Sequence, residues 1–230
     1  MESVALVISP HPDDAEIAMG GTIASLIEQG VKVVVVDLTN GEPTPHGSVE
    51  TRAREAAAAS QILGISDRRL LPLKNREVFD TVENRKIVAG LIRDVRPDIL
   101  FGPYGDDVHP DHVQAAALVE SARFYAKLVK SDLPHAPWYP RKHFHFFSTH
   151  IKTRFQPSFV FDISSYLNKK MAAIEAYESQ FIAHAGNRRR LEEIRTEALY
   201  WGHQVGVAAG EPFVCRELIK VGTSSSLFHL

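Results

Sequence analysis

Two periodicities alternate along the chain. Residues 4–8 form an unbroken apolar run, as a strand buried on both faces requires. Ser9-Pro10-His11-Pro12-Asp13-Asp14 interrupts it. Residues 15–29 then carry Ile17, Ala18, Ile23, Ala24 and Ile27 at helical spacing and stop at Gly30, with Asp13 or Asp14 placed to cap the helix start. Residues 31–38 return to a β-branched run. The alternation continues with a helix over 50–63 stopped by Gly64, a short strand over 69–73, a helix over 82–95 blocked by Pro97, a strand over 98–101 and a helix over 111–129. The second half is less regular. A proline-rich loop at 133–141 precedes strands at 143–148 and 159–162, a helix over 164–178 capped by Ser164 or Ser165, a helix over 188–201 and a last strand over 212–216.

Strands alternating with helices of this length predict an α/β fold, a three-layer Rossmann-like sandwich around a mostly parallel sheet. Such sheets place ligands at the carboxyl ends of their strands. There is no repeat or linker, so residues 1–230 are expected to form a single catalytic domain. In it, 1–130 is the Rossmann-like, metal-binding part and 131–230 a later layer shaping the pocket.

Composition narrows the function classes. With 230 residues, 44% hydrophobic and 23% charged, the chain has material for a real core. A net charge of -2 argues against a nucleic-acid footprint. A single cysteine, Cys215, excludes an intrachain disulfide framework and a four-cysteine zinc site. Apolar runs are of strand length and residues 1–8 lack a basic leader, so no membrane partner and a cytoplasmic location are expected. Histidine is the anomaly: eleven are present, several beside acidic residues.

Chemistry concentrates in two loops that follow predicted strands, residues 9–14 and Asp106-Asp107-Val108-His109-Pro110-Asp111-His112. Together His11, Asp14 and His112 make a two-histidine, one-carboxylate set that zinc accepts in catalytic sites with a position left for water or substrate. Taken singly, Asp13, Asp14 and Asp111 read equally well as helix-start caps. The pairing of the two segments favours the metal.

His11-Pro12-Asp13-Asp14 with Glu16 and Gly20-Gly21-Thr22, then Thr39-Asn40-Gly41-Glu42, then His109-Pro110-Asp111-His112, resembles the LmbE-like, PIG-L-type family of zinc-dependent N-deacetylases. The late stretch 201–206 with Glu211-Pro212-Phe213 is similar to its bacterial branch, which includes bacillithiol-pathway deacetylases. The resemblance implies Zn2+ held by His11, Asp14 and His112, and Asp13 as general base. It implies His109 as the histidine that stabilises the tetrahedral intermediate, and Asp111 as the acid that orients it. Arg52 matches the substrate-binding arginine, with Arg54 close enough for the match to slip, and Tyr200 matches a late tyrosine facing the intermediate. Asn40 and Glu42 are placed to contact sugar hydroxyls or simply to make a turn. The implied reaction removes acetyl from an N-acetylglucosamine-containing small molecule, with His109 or protonated Asp13 supplying the proton to the amine. A homo-oligomer, trimer or hexamer, is implied as well.

Other features are read more plainly. Gly20-Gly21 lacks a phosphate-loop spacing and suits close helix–sheet packing. Arg188-Arg189-Arg190, with His184 nearby, reads as a solvated helix start or an anion contact. Phe144, Phe146 and Phe147 suit a core strand. The competing functions are a deacylase of another N-acyl amine, a non-hydrolytic nucleotide-binding Rossmann protein, and a non-catalytic metal scaffold. The second lacks its glycine fingerprint after the first strand; the third has no use for Asp13 or His109.

Overall fold

The computed structural model describes residues 3–148, 150, 155–183 and 185–219; His184 lies outside them. Seven strands form one sheet in the order β3-β2-β1-β4-β5-β7-β6. They are β1 (Val4–Ser9), β2 (Lys32–Asp37), β3 (Asp67–Leu70), β4 (Ile99–Pro103), β5 (Lys142–Phe146), β6 (Phe159–Asp162) and β7 (Gly210–Cys215). The first five run parallel, while β7 pairs antiparallel with both β5 and β6. The helices are α1 (Asp14–Glu28), α2 (Val49–Leu63), α3 (Val82–Val95), α4 (Pro110–Ala126), α5 (Leu167–Glu175), α6 (Glu178–Phe181) and α7 (Ala185–Gln204).

The unbroken apolar runs of β1 and β2 are explained by burial on both faces. Ala5, Val7, Val33 and Val35 point into one core, shared with Ile23 of α1, Leu63 of α2 and Ile174 of α5. Leu6, Ile8, Val34 and Val36 point into the other, shared with Ile92 of α3 and Leu118 of α4. This is the expected three-layer sandwich.

The order of strands fixes where a ligand can sit. Val7 pairs with Val35 on one side and Phe101 on the other, so the chain leaves β1 towards β2 and leaves β4 towards β5 in opposite directions. The crevice at this switch point lies beyond the carboxyl ends of β1 and β4.

Local chemistry sets the helix ends. Ser48 accepts from Thr51 N to start α2, Gly64 stops it at φ 87°, and Thr81 accepts from Asn84 N to start α3. Three expectations are corrected. Asp13 stands at the N-cap of α1 but makes no capping hydrogen bond. The helix expected over 164–178 begins only at Leu167 and breaks before α6, because the Ser164 hydroxyl is engaged by Asp162 and by the backbone of Ala208 and Ala209. Phe146 is core, whereas Phe147 lines a cavity.

Gly20-Gly21 follows a kink in α1 at Met19 (φ -147°, ψ 24°). A Cβ on Gly21 would lie 2.7 Å from Ile163, so close packing, not phosphate binding, requires the glycine. The N–H groups exposed by the kink are received by the buried Glu211, which accepts from Gly21 N at 3.0 Å and Thr22 N at 2.7 Å.

Candidate metal centre

The loop after β1 turns sharply. Asp13 adopts φ 100°, an uncommon conformation for a residue with a side chain, and Asp14 then opens α1 with its carboxylate facing back over the loop. Asp14 Oδ2 accepts from His11 N at 3.1 Å and lies 3.2 Å from His11 Nδ1 and 3.3 Å from His112 Nε2. His112 is delivered by the first turn of α4, which Pro110 starts and His109 caps. The three predicted ligands, which come from the loop after β1 and the start of α4, offer donor atoms that all lie within 4.8 Å of one another.

Carboxylates behind the imidazoles set which nitrogen faces inward. His112 Nδ1 is 2.7 Å from Asp107 Oδ2, leaving Nε2 towards Asp14, buried and without a well-aligned hydrogen bond. His11 Nε2 is 3.1 Å from Asp111 Oδ2, leaving Nδ1 towards Asp14. Imidazoles backed by carboxylates are the usual second layer of a histidine-ligated metal. Two nitrogens and one oxygen, one of them an orphaned buried atom, fit a divalent ion of the zinc type.

Burial disfavours charge on these histidines, but their carboxylate partners prevail. Hydrogen bonds to Asp111 and Asp14 raise His11 to about 9. The Asp14 charge and the bond to Asp107 raise His112 to about 10. Asp14, also opposed by burial, is held well below the usual carboxylate range by His112 and His11. His109 goes the other way: burial and the neighbouring charges of His112, His11 and His150 lower it to about 4.

Asp13 sits beside the ligands and faces Arg52, whose Nη1 is 3.2 Å from Asp13 Oδ2. Arg52 also donates to Pro12 O and lies 5.4 Å from the centre of the Tyr177 ring. Arg52 is buried at the cavity, whereas Arg54 is exposed. Burial pushes the Asp13 carboxyl up to about 6 against the pull of Arg52.

The arrangement differs from expectation in three places. Asp111 does not turn its carboxylate to His109; it holds His11, and its backbone N–H donates to His109 Nδ1 at 3.2 Å. Tyr200 is 54% exposed and lines a neighbouring cavity. Asn40 and Glu42 shape their own loop, Asn40 accepting from Glu42 N and Glu42 from Thr44, and they line a separate surface depression. Two residues were missed. Asp107 orients His112, and the half-exposed His150 packs its ring 4.9 Å from that of His112 and donates its backbone N–H to Asp107. Asp107 stood within the quoted segment, but nothing in its spacing shows that it folds back onto His112.

A cavity of about 510 Å³ opens over these groups. His11, Asp13, Asp14, His109 and His112 line its floor, and Gln180, Asn187 and Arg190 from α6 and α7 its far wall. Among the described residues no helix is long and apolar enough to cross a membrane.

Comparison with known proteins agrees with this layout. The profile of the PIG-L family, GlcNAc-PI de-N-acetylase, matches residues 6–123. The chain is 33% identical over 219 residues to the diacetylchitobiose deacetylase of Thermococcus kodakarensis, covering 87% of this chain and 78% of that protein. It is 28% identical to a probable N-acetyl-alpha-D-glucosaminyl L-malate deacetylase 2 of Bacillus anthracis, covering 87% and 92%. The crystal structure of a conserved protein from Thermus thermophilus superposes with a TM-score of 0.89 at 35% identity, covering 97% of this chain and 99% of that one.

Proposed function

This chain belongs to the PIG-L family of de-N-acetylases, and from that premise we propose that it is a zinc-dependent hydrolase of an N-acetylglucosamine-containing small molecule, releasing acetate and the free amine. The observation that carries the reading is the convergence of His11, Asp14 and His112 beside an arginine-held Asp13 on one cavity floor. Two of the relatives are named as a diacetylchitobiose deacetylase and a probable N-acetyl-alpha-D-glucosaminyl L-malate deacetylase, which supports an amino-sugar substrate.

His11 Nδ1, Asp14 Oδ2 and His112 Nε2 would hold the zinc ion. Bound there, it supplies Lewis acidity to the acetyl carbonyl and lowers the pKa of water. The chain's own residues do the rest. Asp13 takes the proton of the attacking water, and Arg52 fixes the direction in which its carboxylate points. His109 Nδ1 accepts the Asp111 N–H, so Nε2 carries the proton of the neutral ring and donates to the developing oxyanion. The Asp111 carboxylate, the group that would stabilise an imidazolium at His109, is hydrogen-bonded to His11. The proton for the leaving amine therefore comes from Asp13, which acquired it from water.

Residues 1–230 act as one catalytic domain in this reading: the first half supplies the ligands, and the second closes the cavity through Gln180, Asn187 and Arg190. The test is acetate release by zinc-loaded protein from N-acetylglucosaminyl-malate, N-acetylglucosaminyl-inositol, N,N'-diacetylchitobiose and N-acetylglucosamine. Turnover of at least one is expected; turnover of none would remove the substrate class.

A further inference from the structure

Arg52, which faces the base Asp13, is held by hydrogen bonds at one end only. Its Nη1 and Nη2 lie 3.2 Å and 3.3 Å from Asp13 Oδ2, and Nη2 also donates to Pro12 O. Its Nε is buried without a hydrogen-bond partner. A planar guanidinium fixed at its Nη end can still tilt about that end, so its plane is set by what lies against it. Gly41 comes close, since a Cβ there would lie 3.0 Å from Nη2. Tyr177 lies against it as well, with its ring centre 5.4 Å from Arg52 Cζ. Resting on the deacetylase reading above, we propose that Tyr177 is a positioning residue, whose ring holds the Arg52 guanidinium and thereby aims the Asp13 carboxylate.

Tyr177 is anchored firmly enough for this task. It immediately precedes α6 and is the largest fully buried side chain among the described residues. Its hydroxyl donates to Glu16 Oε1 at 3.2 Å. The same oxygen accepts from Arg68 Nη1 at 2.5 Å, and Arg68 pairs through two nitrogens with Asp37 at the end of β2. Burial raises the phenol well above its usual range, so the hydroxyl keeps its proton and remains a donor. The ring is thus tied to α1, β2 and β3 at its far end and meets Arg52 with its body. An aromatic face attracts a guanidinium within about 6 Å, most strongly where water is excluded. Here both partners are buried.

Tyr177 is 0% exposed, so it cannot touch substrate and any effect on turnover passes through another residue. Two routes are open. One runs through Arg52 to Asp13 and is felt in the chemical step. The other runs through α6, which carries Gln180 to the cavity wall, and is felt in substrate binding.

The test compares zinc-loaded wild type, Tyr177→Phe, Tyr177→Leu, Arg52→Lys and the Arg52→Lys/Tyr177→Leu double variant. The substrate is whichever of the four sugars above the wild type hydrolyses best, and circular dichroism and metal analysis record fold and zinc content. In Tyr177→Leu, kcat should fall about tenfold with KM within twofold, while Tyr177→Phe, which keeps the ring, should stay within about threefold of wild type. In the Arg52→Lys background the leucine should cost less than about twofold, because the group it positions is already gone. A risen KM with unchanged kcat would assign Tyr177 to α6 and overturn the proposal. An equal fall in kcat in both backgrounds would overturn it too. If Tyr177→Leu does not fold, pentafluorophenylalanine at position 177 replaces it. That ring is close in shape but has a face that no longer attracts a cation, and the same loss in kcat is expected. A second cycle needs no substrate. Losses in denaturant midpoint from Tyr177→Leu, or its replacement, and Arg52→Lys that simply add would overturn the contact itself. If the wild type hydrolyses none of the four sugars while this cycle shows coupling, the deacetylase reading fails and the hold of Tyr177 on Arg52 stands.

Discussion

Glu211 reaches across 189 residues of sequence to Thr22, accepting from its hydroxyl at 2.6 Å and its N–H at 2.7 Å. The last strand thereby holds the kink of α1, one turn beyond Asp14. The same carboxylate pairs with Lys170, which is 3% exposed. Glu211→Ala should therefore cost about 3–5 kcal/mol of stability, because it leaves a buried ammonium without a partner. Adding Lys170→Met should recover part of that loss, as read from denaturant midpoints. Equal stability of the single and double variants would show that the helix contacts, not the ion pair, set the cost.

Asp107 holds His112, one of the candidate metal ligands. Its carboxylate, held below the usual range by the His112 bond despite burial, fixes the ring so that Nε2 faces Asp14. Asp107→Ala should weaken zinc binding by about 10–100-fold, and Asp107→Asn less. Competition with a colorimetric chelator measures this. Affinity unchanged in Asp107→Ala would reject the orienting role.

Zinc must displace protons from this site. With His11 raised to about 9 and His112 to about 10, both imidazoles are protonated at pH 7 before an ion binds. Binding at pH 7 should release close to two protons, visible as a dependence of calorimetric heat on buffer ionisation enthalpy. Affinity should climb with pH up to about 10. The zinc-free fold follows the opposite course. Its histidine contribution is complete below the ordinary value of 6.5 and fades as pH rises through 9 to 10. The Asp14 contribution, present above 3.8, fades on acidification. Thermal unfolding without zinc should thus be latest between pH 4 and 6.5 as far as these groups decide it.

Asp13 and His109 should separate in kinetics. Asp13→Asn should lower kcat by about 10²–10⁴ while zinc content stays near stoichiometric, because Asp13 is not among the converging ligands. His109→Gln keeps an N–H donor and should lose less than His109→Ala. Wild-type turnover in Asp13→Asn would remove it as the base.

The sheet was legible because the middles of β1 and β2 are β-branched or apolar runs of strand length, which suits a strand covered on both faces. His11, Asp14 and His112 were legible because their loops follow adjacent parallel strands. The orientation of side chains was not. Asp111 faces His11 because it also accepts from Arg76 N at 2.6 Å and Val78 N at 3.3 Å, donors from a loop whose sequence gives no hint of that position. Tyr200 lies on α7 and lines the neighbouring cavity with Trp201; which residues of α7 reach the candidate metal site depends on how the helix packs, which no local pattern encodes. Ser164 looked like a cap because Ser does so elsewhere; its hydroxyl was claimed by the chain around Ala208.

Both edges of the sheet are short. At β3, Arg68 turns inward to Asp37 and Glu16, while Arg69 bridges Asp67 and Asp94. At β6, the strand is only four residues long. Edges of this kind resist extension by another strand. Sheet growth from copy to copy is thereby discouraged at both ends.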